Sequence, residues 1–130
     1  LKTIDQNPLT HQGIISEISR TNDDTTTVRI IEQWANPDQA SYVASGSIHA
    51  KISGGVTMTI WASNNPDADN TAATNWVNIS ELIMGSGVTS LIDDEDIWNI
   101  EKLRFARLMY KFVTSDATNA IDVQTVKFNS

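Results

Sequence analysis

An antiparallel all-β sandwich with short helical turns in its loops is the fold class that this sequence predicts, on three observations. Thr and Ser together number 26 and Ile plus Val 23, against six Leu, a balance that suits pleated, half-buried surfaces better than helices. The run Val56-Thr57-Met58-Thr59-Ile60-Trp61-Ala62-Ser63 alternates with a period of two and enters an Asn64-Asn65-Pro66 turn; Asn75-Trp76-Val77-Asn78-Ile79-Ser80 then returns the chain as a second short strand. With 130 residues and no cysteine, the chain fits one domain whose core rests on packing without disulfides.

The elements follow in order. Residues 1–13 contain Pro8 and Gly13 and no sustained period, so they read as an extended amino-terminal arm able to reach a neighbouring subunit, with residues 14–130 as a single sandwich domain. Opening on Leu1 instead of methionine, the chain is expected to have a trimmed amino terminus. β-Branched content over 14–20 and the Asn22-Asp23-Asp24 turn after it favour a strand there, with a helical turn as the alternative. Residues 25–32 set Thr26, Val28 and Ile30 against Thr27, Arg29 and Ile31. Over 40–52, Ile48, Ala50 and Ile52 share a side, and Gly46 is a candidate bulge.

Ser53-Gly54-Gly55 then turns the chain into the strand that carries Val56, Met58, Ile60 and Ala62 on one face and Thr57, Thr59 and Trp61 on the other. Residues 81–101 lose the alternation and read as a long loop with a helical turn. Residues 103–113 are the strongest strand, with Ala106, Leu108, Tyr110 and Phe112 opposite Phe105, Arg107, Met109 and Lys111. In the last segment Ile121 and Val123 share a phase that Val126 and Phe128 do not, which predicts a bulge near Gln124-Thr125.

Net charge is −7, which speaks against nucleic-acid binding by counterion release. The balance is uneven. Residues 1–101 hold four basic and 14 acidic groups and residues 102–130 hold five basic and two acidic groups, so the carboxy-terminal strands are locally cationic. No run approaches the roughly 20 apolar residues of a membrane span, and no basic-then-apolar leader opens the chain.

No constellation of catalytic type emerges, and the chain is expected not to be an enzyme and to need no cofactor. His11 and His49 are distant and pair with no nucleophile; Gly54-Gly55 is a turn and not a phosphate loop. The acidic run Asp93-Asp94-Glu95-Asp96 offers oxygen to a metal, but consecutive acids in an extended chain point to alternate sides and a solvated loop is the simpler reading. Asn64, Asn65, Asp67, Asp69 and Asn70 form a second oxygen-rich loop that turn chemistry explains. Of Trp34, Trp61, Trp76 and Trp98, Trp76 is assigned to the core. Trp61, on a face it shares with Thr57 and Thr59, is the candidate for an interface or ligand contact.

The ordered pattern Ile52-Ser53-Gly54, Thr59-Ile60-Trp61-Ala62-Ser63-Asn64, Asn75-Trp76, Phe105-Ala106-Arg107-Leu108 and Ala120-Ile121-Asp122-Val123 resembles small β-sandwich structural proteins of tailed-phage virions and, more loosely, discoidin-like jelly rolls. It covers roughly residues 46–128. The departures are an Asn-Pro-Asp turn after Asn64, Phe105 as the aromatic before Ala106, and no cysteines to join the termini.

The resemblance implies a jelly roll, and a capsid-decorating, head-fibre or tail-accessory component of the virion, assembled in a bacterial host cytoplasm. Its partners would be phage capsid or tail proteins and further copies of itself, with neither nucleic acid nor membrane involved. No catalytic residue carries over, and Arg107 would pair with a carboxylate inside the sandwich. The alternative is a carbohydrate-binding or receptor-binding sandwich module that uses Trp61 on a glycan.

Overall fold

A computed structural model describes residues 14–22, 26–34, 43–70, 73–101 and 105–129. The arm expected over residues 1–13, and His11 with it, lies outside the described residues. Among the described residues, nine strands form two antiparallel sheets: β1 (Ile14–Thr21), β2 (Thr27–Gln33), β3 (Val43–Ser53), β4 (Val56–Ser63), β5 (Val77–Asn78), β6 (Leu91–Ile92), β7 (Glu95–Glu101), β8 (Arg107–Thr114) and β9 (Ala120–Asn129). One sheet runs β1-β9-β3-β7 and the other β2-β8-β4-β5, with β6 on the same side of β4 as β5. Every long strand lies in the opposite sheet from the long strand before it, which is the path of a jelly roll. The short helix α1 (Ser80–Met84) connects β5 to the β6 segment.

The period of two puts the expected residues inside. Ile48, Ala50 and Ile52 from one sheet meet Val56, Met58, Ile60, Leu108, Tyr110 and Phe112 from the other, all at 2% exposure or less. Each of the larger apolar side chains contributes about 1.5–3 kcal/mol by leaving water. Gly54 takes φ +81° at the β3–β4 turn, and a Cβ there would lie 2.5 Å from the Thr118 carbonyl oxygen, so the tight crossing needs glycine.

Several expectations are corrected. β9 has no bulge at Gln124-Thr125: its register against β1 and β3 runs unbroken from Ala120 through that point. The inward phase of Ile121 and Val123 continues through Thr125 and Lys127, two polar residues in core positions, while Val126 points outward. The irregularity in β3 falls between Val43 and Ser45, not at Gly46. Gly46 instead gives room to Trp34, since a Cβ would sit 2.9 Å from the indole. Within 81–101 a seven-residue strand, β7, replaces the expected loop. As an end strand it buries only Trp98 and Ile100, too little for its alternation to stand out. The strand expected from residue 103 begins at Arg107.

Glu32, Lys127, Tyr110 and Thr125 bring polar groups into the core as two pairs. Glu32 of β2 and Lys127 of β9 face each other across the sheets at 3.8 Å, with side-chain exposures of 8% and 5%. Ser16 of β1 donates to Glu32, and Lys127 also donates to the Gln33 carbonyl at 3.0 Å and lies over the Trp34 ring, 5.9 Å from its centroid. Tyr110 and Thr125 share a hydrogen bond of 2.6 Å. Burial pushes the Tyr110 phenol well above its ordinary value of 10.0, the Glu32 charge adds to that, and Thr125 opposes it.

The folded state therefore holds the Tyr110 proton after the unfolded chain has released it. Stability is independent of this group below about pH 10 and falls as pH rises beyond it. Urea denaturation at a series of alkaline pH values is expected to show that fall, and Tyr110→Phe to flatten it.

Candidate functional site

The residues singled out by the sequence come together. Cross-strand register aligns Arg29, Lys111 and Thr59 in one row on the outer face of the five-stranded sheet, with Ile31, Met109, Trp61 and Asn78 in the next. Val113, Thr57 and Ile92 make a third row on the other side. Thr57, Thr59 and Trp61 are all half-buried. The Trp61 indole N–H donates to Thr59 Oγ1 at 2.9 Å, and the Lys111 ammonium sits 5.5 Å from the ring centroid, within cation–π range.

The oxygen-rich loop explains the rest of Trp61's surroundings. Asn65 and Asp67 close the turn through Asn65 N–H to Ser63 Oγ (3.1 Å) and Asp67 N–H to Asn65 Oδ1 (2.9 Å). The turn delivers the fully buried Ala68 onto a small second core of Trp76 and Met109, against which Ile31 and Trp61 pack. Trp76 is buried as expected, its N–H donating to the Asp69 carbonyl at 2.7 Å. Arg107 holds the same loop by donating to the Ala68 carbonyl at 3.2 Å. Among the described residues, its expected carboxylate partner is replaced by that carbonyl.

The acidic run is divided among three separate tasks. Asp93, at φ 45°, accepts the Gly55 and Val56 N–H groups at 2.9 and 2.7 Å and so clamps the β3–β4 turn. Glu95 meets His49 at 2.8 Å. The carboxylates of Asp94 and Asp96 accept the N–H groups of Glu95 and Ile97 at 2.7 and 2.8 Å. Because β7 is the end of its sheet, these two acids occupy donors that would otherwise invite a foreign strand. Among the described residues no group of three or more His, Asp and Glu converges for a metal.

The outer face of the four-stranded sheet is acidic. Glu17, Asp122, Glu95 and Glu101 point outward beside Lys51 and the His49–Glu95 pair. His49, Lys51, Glu95, Asp122 and Gln124 line a shallow open depression of about 80 Å³, and Gln124 donates to Glu17 at 3.2 Å.

A third surface was missed by the sequence reading. Residues 77–92 fold along the free edge of β4, completing it where β5 and β6 leave a gap: Ile60 N–H donates to Ser80 Oγ (2.9 Å) and Ile79 N–H to the Ile60 carbonyl (2.8 Å). This 16-residue stretch carries one charge, Glu81, whose carboxylate accepts the Gly87 N–H at 3.0 Å. It leaves Val77, Leu82 and Ile92 more than 60% exposed, and Val88 is exposed as well. The scarcity of charge was visible in the sequence, but without alternation it could not be read as a surface.

No protein-family model and no curated relative matches the chain. Among solved structures it is similar to the Yersinia pseudotuberculosis-derived mitogen, at 11% identity and TM-score 0.46 over 88% of this chain and 86% of that one. It is also similar to the SPBc2 prophage-derived protein YomS, at 16% identity and TM-score 0.38 over 88% and 95%. Both likenesses are distant, and neither assigns a role to a residue of this chain.

The edge-blocking role of the two acids predicts that Asp94→Ala combined with Asp96→Ala changes folding stability by less than about 1 kcal/mol while raising the rate of aggregation on prolonged incubation. Turbidity and dye binding measure this, and unchanged solubility would remove the role.

Proposed function

We propose that the chain is a structural protein of a phage virion, a jelly-roll module that docks on a capsid or tail lattice through protein-protein contacts and has no catalytic role. The observation that carries the docking is the side wall formed by residues 77–92, with its single internally satisfied charge and its exposed Val77, Leu82, Val88 and Ile92. Large apolar side chains left exposed along so weakly charged a stretch of a small domain mark a surface that other proteins can cover. The virion setting rests on the resemblance of the sequence motifs. Homo-oligomerisation belongs to the same reading, because symmetric lattices repeat one contact many times.

The carbohydrate reading has less support. The Trp61 N–H is spent on Thr59 and Lys111 stands over its ring, so little of the indole is left for a sugar to stack on. The test is co-sedimentation of the purified protein with particles of the phage whose genome encodes it. Leu82→Asp with Ile92→Lys is expected to weaken binding by roughly 100-fold or more while circular dichroism stays unchanged. A protein without particle affinity, or binding indifferent to both substitutions, would contradict the proposal.

A further inference from the structure

β1 ends its sheet with an open edge. It pairs with β9 on one side, and the Asn22 N–H donates to the Asn119 carbonyl at 2.7 Å. Carried along the register, that phase turns the backbone N–H and C=O groups of Ser16, Ile18 and Arg20 toward β9 and those of Ile15, Glu17, Ser19 and Thr21 away from it. Among the described residues nothing hydrogen-bonds to these outward backbone groups, and Glu17, Ser19 and Thr21 are exposed. Elsewhere the edges are blocked at least in part. Asp94 and Asp96 occupy outward N–H groups of β7, residues 77–92 complete the edge of β4, and on β2 the outward Gln33 carbonyl is taken by Lys127. β1 uses no such device: it contains no proline, glycine or lysine, its register against β9 is unbroken, and its Glu17 carboxylate is drawn back over β9 by Gln124.

A second observation lies next to this edge. Glu32 Oε2 is buried without a hydrogen bond, with the Lys127 ammonium 3.8 Å away, while Ser16 of β1 donates to the other oxygen of the same carboxylate. We infer that the β1 edge docks on the β1 edge of a second copy about a two-fold axis through Ile18, joining the two four-stranded sheets into one continuous sheet. In this register Glu17 exchanges both backbone bonds with Ser19 of the second copy, and Ile15 does so with Thr21, so every outward group of the strand is used. An axis at Glu17 would set two carboxylates opposite each other, and an axis at Ser19 would carry Ile15 past the end of the facing strand. On the inward side Ile18 meets Ile18, and Arg20 of the second copy comes opposite Ser16, where facing Cβ atoms lie about 4.5–5.5 Å apart. That places a cation beside the carboxylate that lacks a donor. Self-complementary register and the match of Arg20 to Glu32 favour a second copy over an unrelated strand. The contact is isologous and closes at two. It goes beyond the docking reading, because it uses β1 and not the side wall, and either can fail alone.

Sedimentation velocity over a concentration series is the first test. Wild-type protein is expected to pass from monomers to dimers and no further. Ser19→Pro removes an outward N–H without touching the β1–β9 ladder, and is expected to shift dimerisation to roughly tenfold higher concentration or beyond with unchanged circular dichroism. Leu82→Asp with Ile92→Lys is expected to leave the dimers intact, which separates this contact from the docking wall. Because the chain has no cysteine, introduced thiols read the register whether or not the proline variant folds. Glu17→Cys mixed with Ser19→Cys is expected to form an intermolecular disulfide on mild oxidation roughly tenfold faster than either variant alone, since facing residues have Cα atoms about 5.5 Å apart and like residues about 9 Å. Wild-type protein that stays monomeric, association that continues past dimers, dimers indifferent to a folded Ser19→Pro variant, or cross-linking no faster in the mixture would each overturn the inference.

Discussion

The buried pair of Glu32 and Lys127 fixes how the two sheets of this molecule meet. The residues stand in different sheets, on β2 and β9, at 8% and 5% side-chain exposure. Two charges taken out of water cost several kcal/mol each unless they meet one another and further polar groups. Ser16 and the Gln33 carbonyl supply such groups. A one-residue slip of β2 or β9 would point one partner at solvent and leave the other alone in the core. The pair therefore selects one register, and β1 is tied to the same point through Ser16.

That internal pairing also shapes the outside. Turning Glu32 inward removes the only acid that the strands of the five-stranded sheet could show, and leaves Arg29 and Lys111 to define that face. Turning Lys127 inward takes a cation away from the four-stranded sheet, whose outer face keeps Asp122 and Gln124 from the same strand. In a chain with net charge −7, the strands of the five-stranded sheet thus turn only cations outward among their charged side chains, while Asp67 and Asp69 lie on the loop that packs over part of that face. The cationic tilt of residues 102–130 is only partly expressed at the surface, because Lys127 is spent inside. The apolar side wall is independent of this polarity and belongs to residues that complete the β4 edge.

How much could be read in advance depended on burial. β4 and β8 are central strands, so their inner faces are uniformly apolar and their alternation gave Val56, Met58, Ile60, Leu108, Tyr110 and Phe112 directly. β7 covers only one neighbour, and its two inward residues sit among acids that serve the backbone. β9 misled for a different reason: Thr125 and Lys127 occupy core positions because Tyr110 and Glu32 across the gap accept them, and a pattern of polar against apolar residues cannot show a partner 15 or 95 positions away. The grouping of Trp61 with Thr57 and Thr59 was legible from the period of two alone. What closes over Trp61 was not, since Ala68 and Trp76 arrive by way of a turn whose course no periodicity encodes.

A double-mutant cycle on Glu32 and Lys127, read by urea denaturation, tests this account most directly. Glu32→Gln and Lys127→Met are each expected to destabilise by about 3 kcal/mol or more, and the double variant to recover a large part of the combined loss, giving a coupling of at least about 1.5 kcal/mol. Losses that simply add, within about 0.5 kcal/mol, would show that the two charges do not depend on each other and that the register of the sheets is set elsewhere.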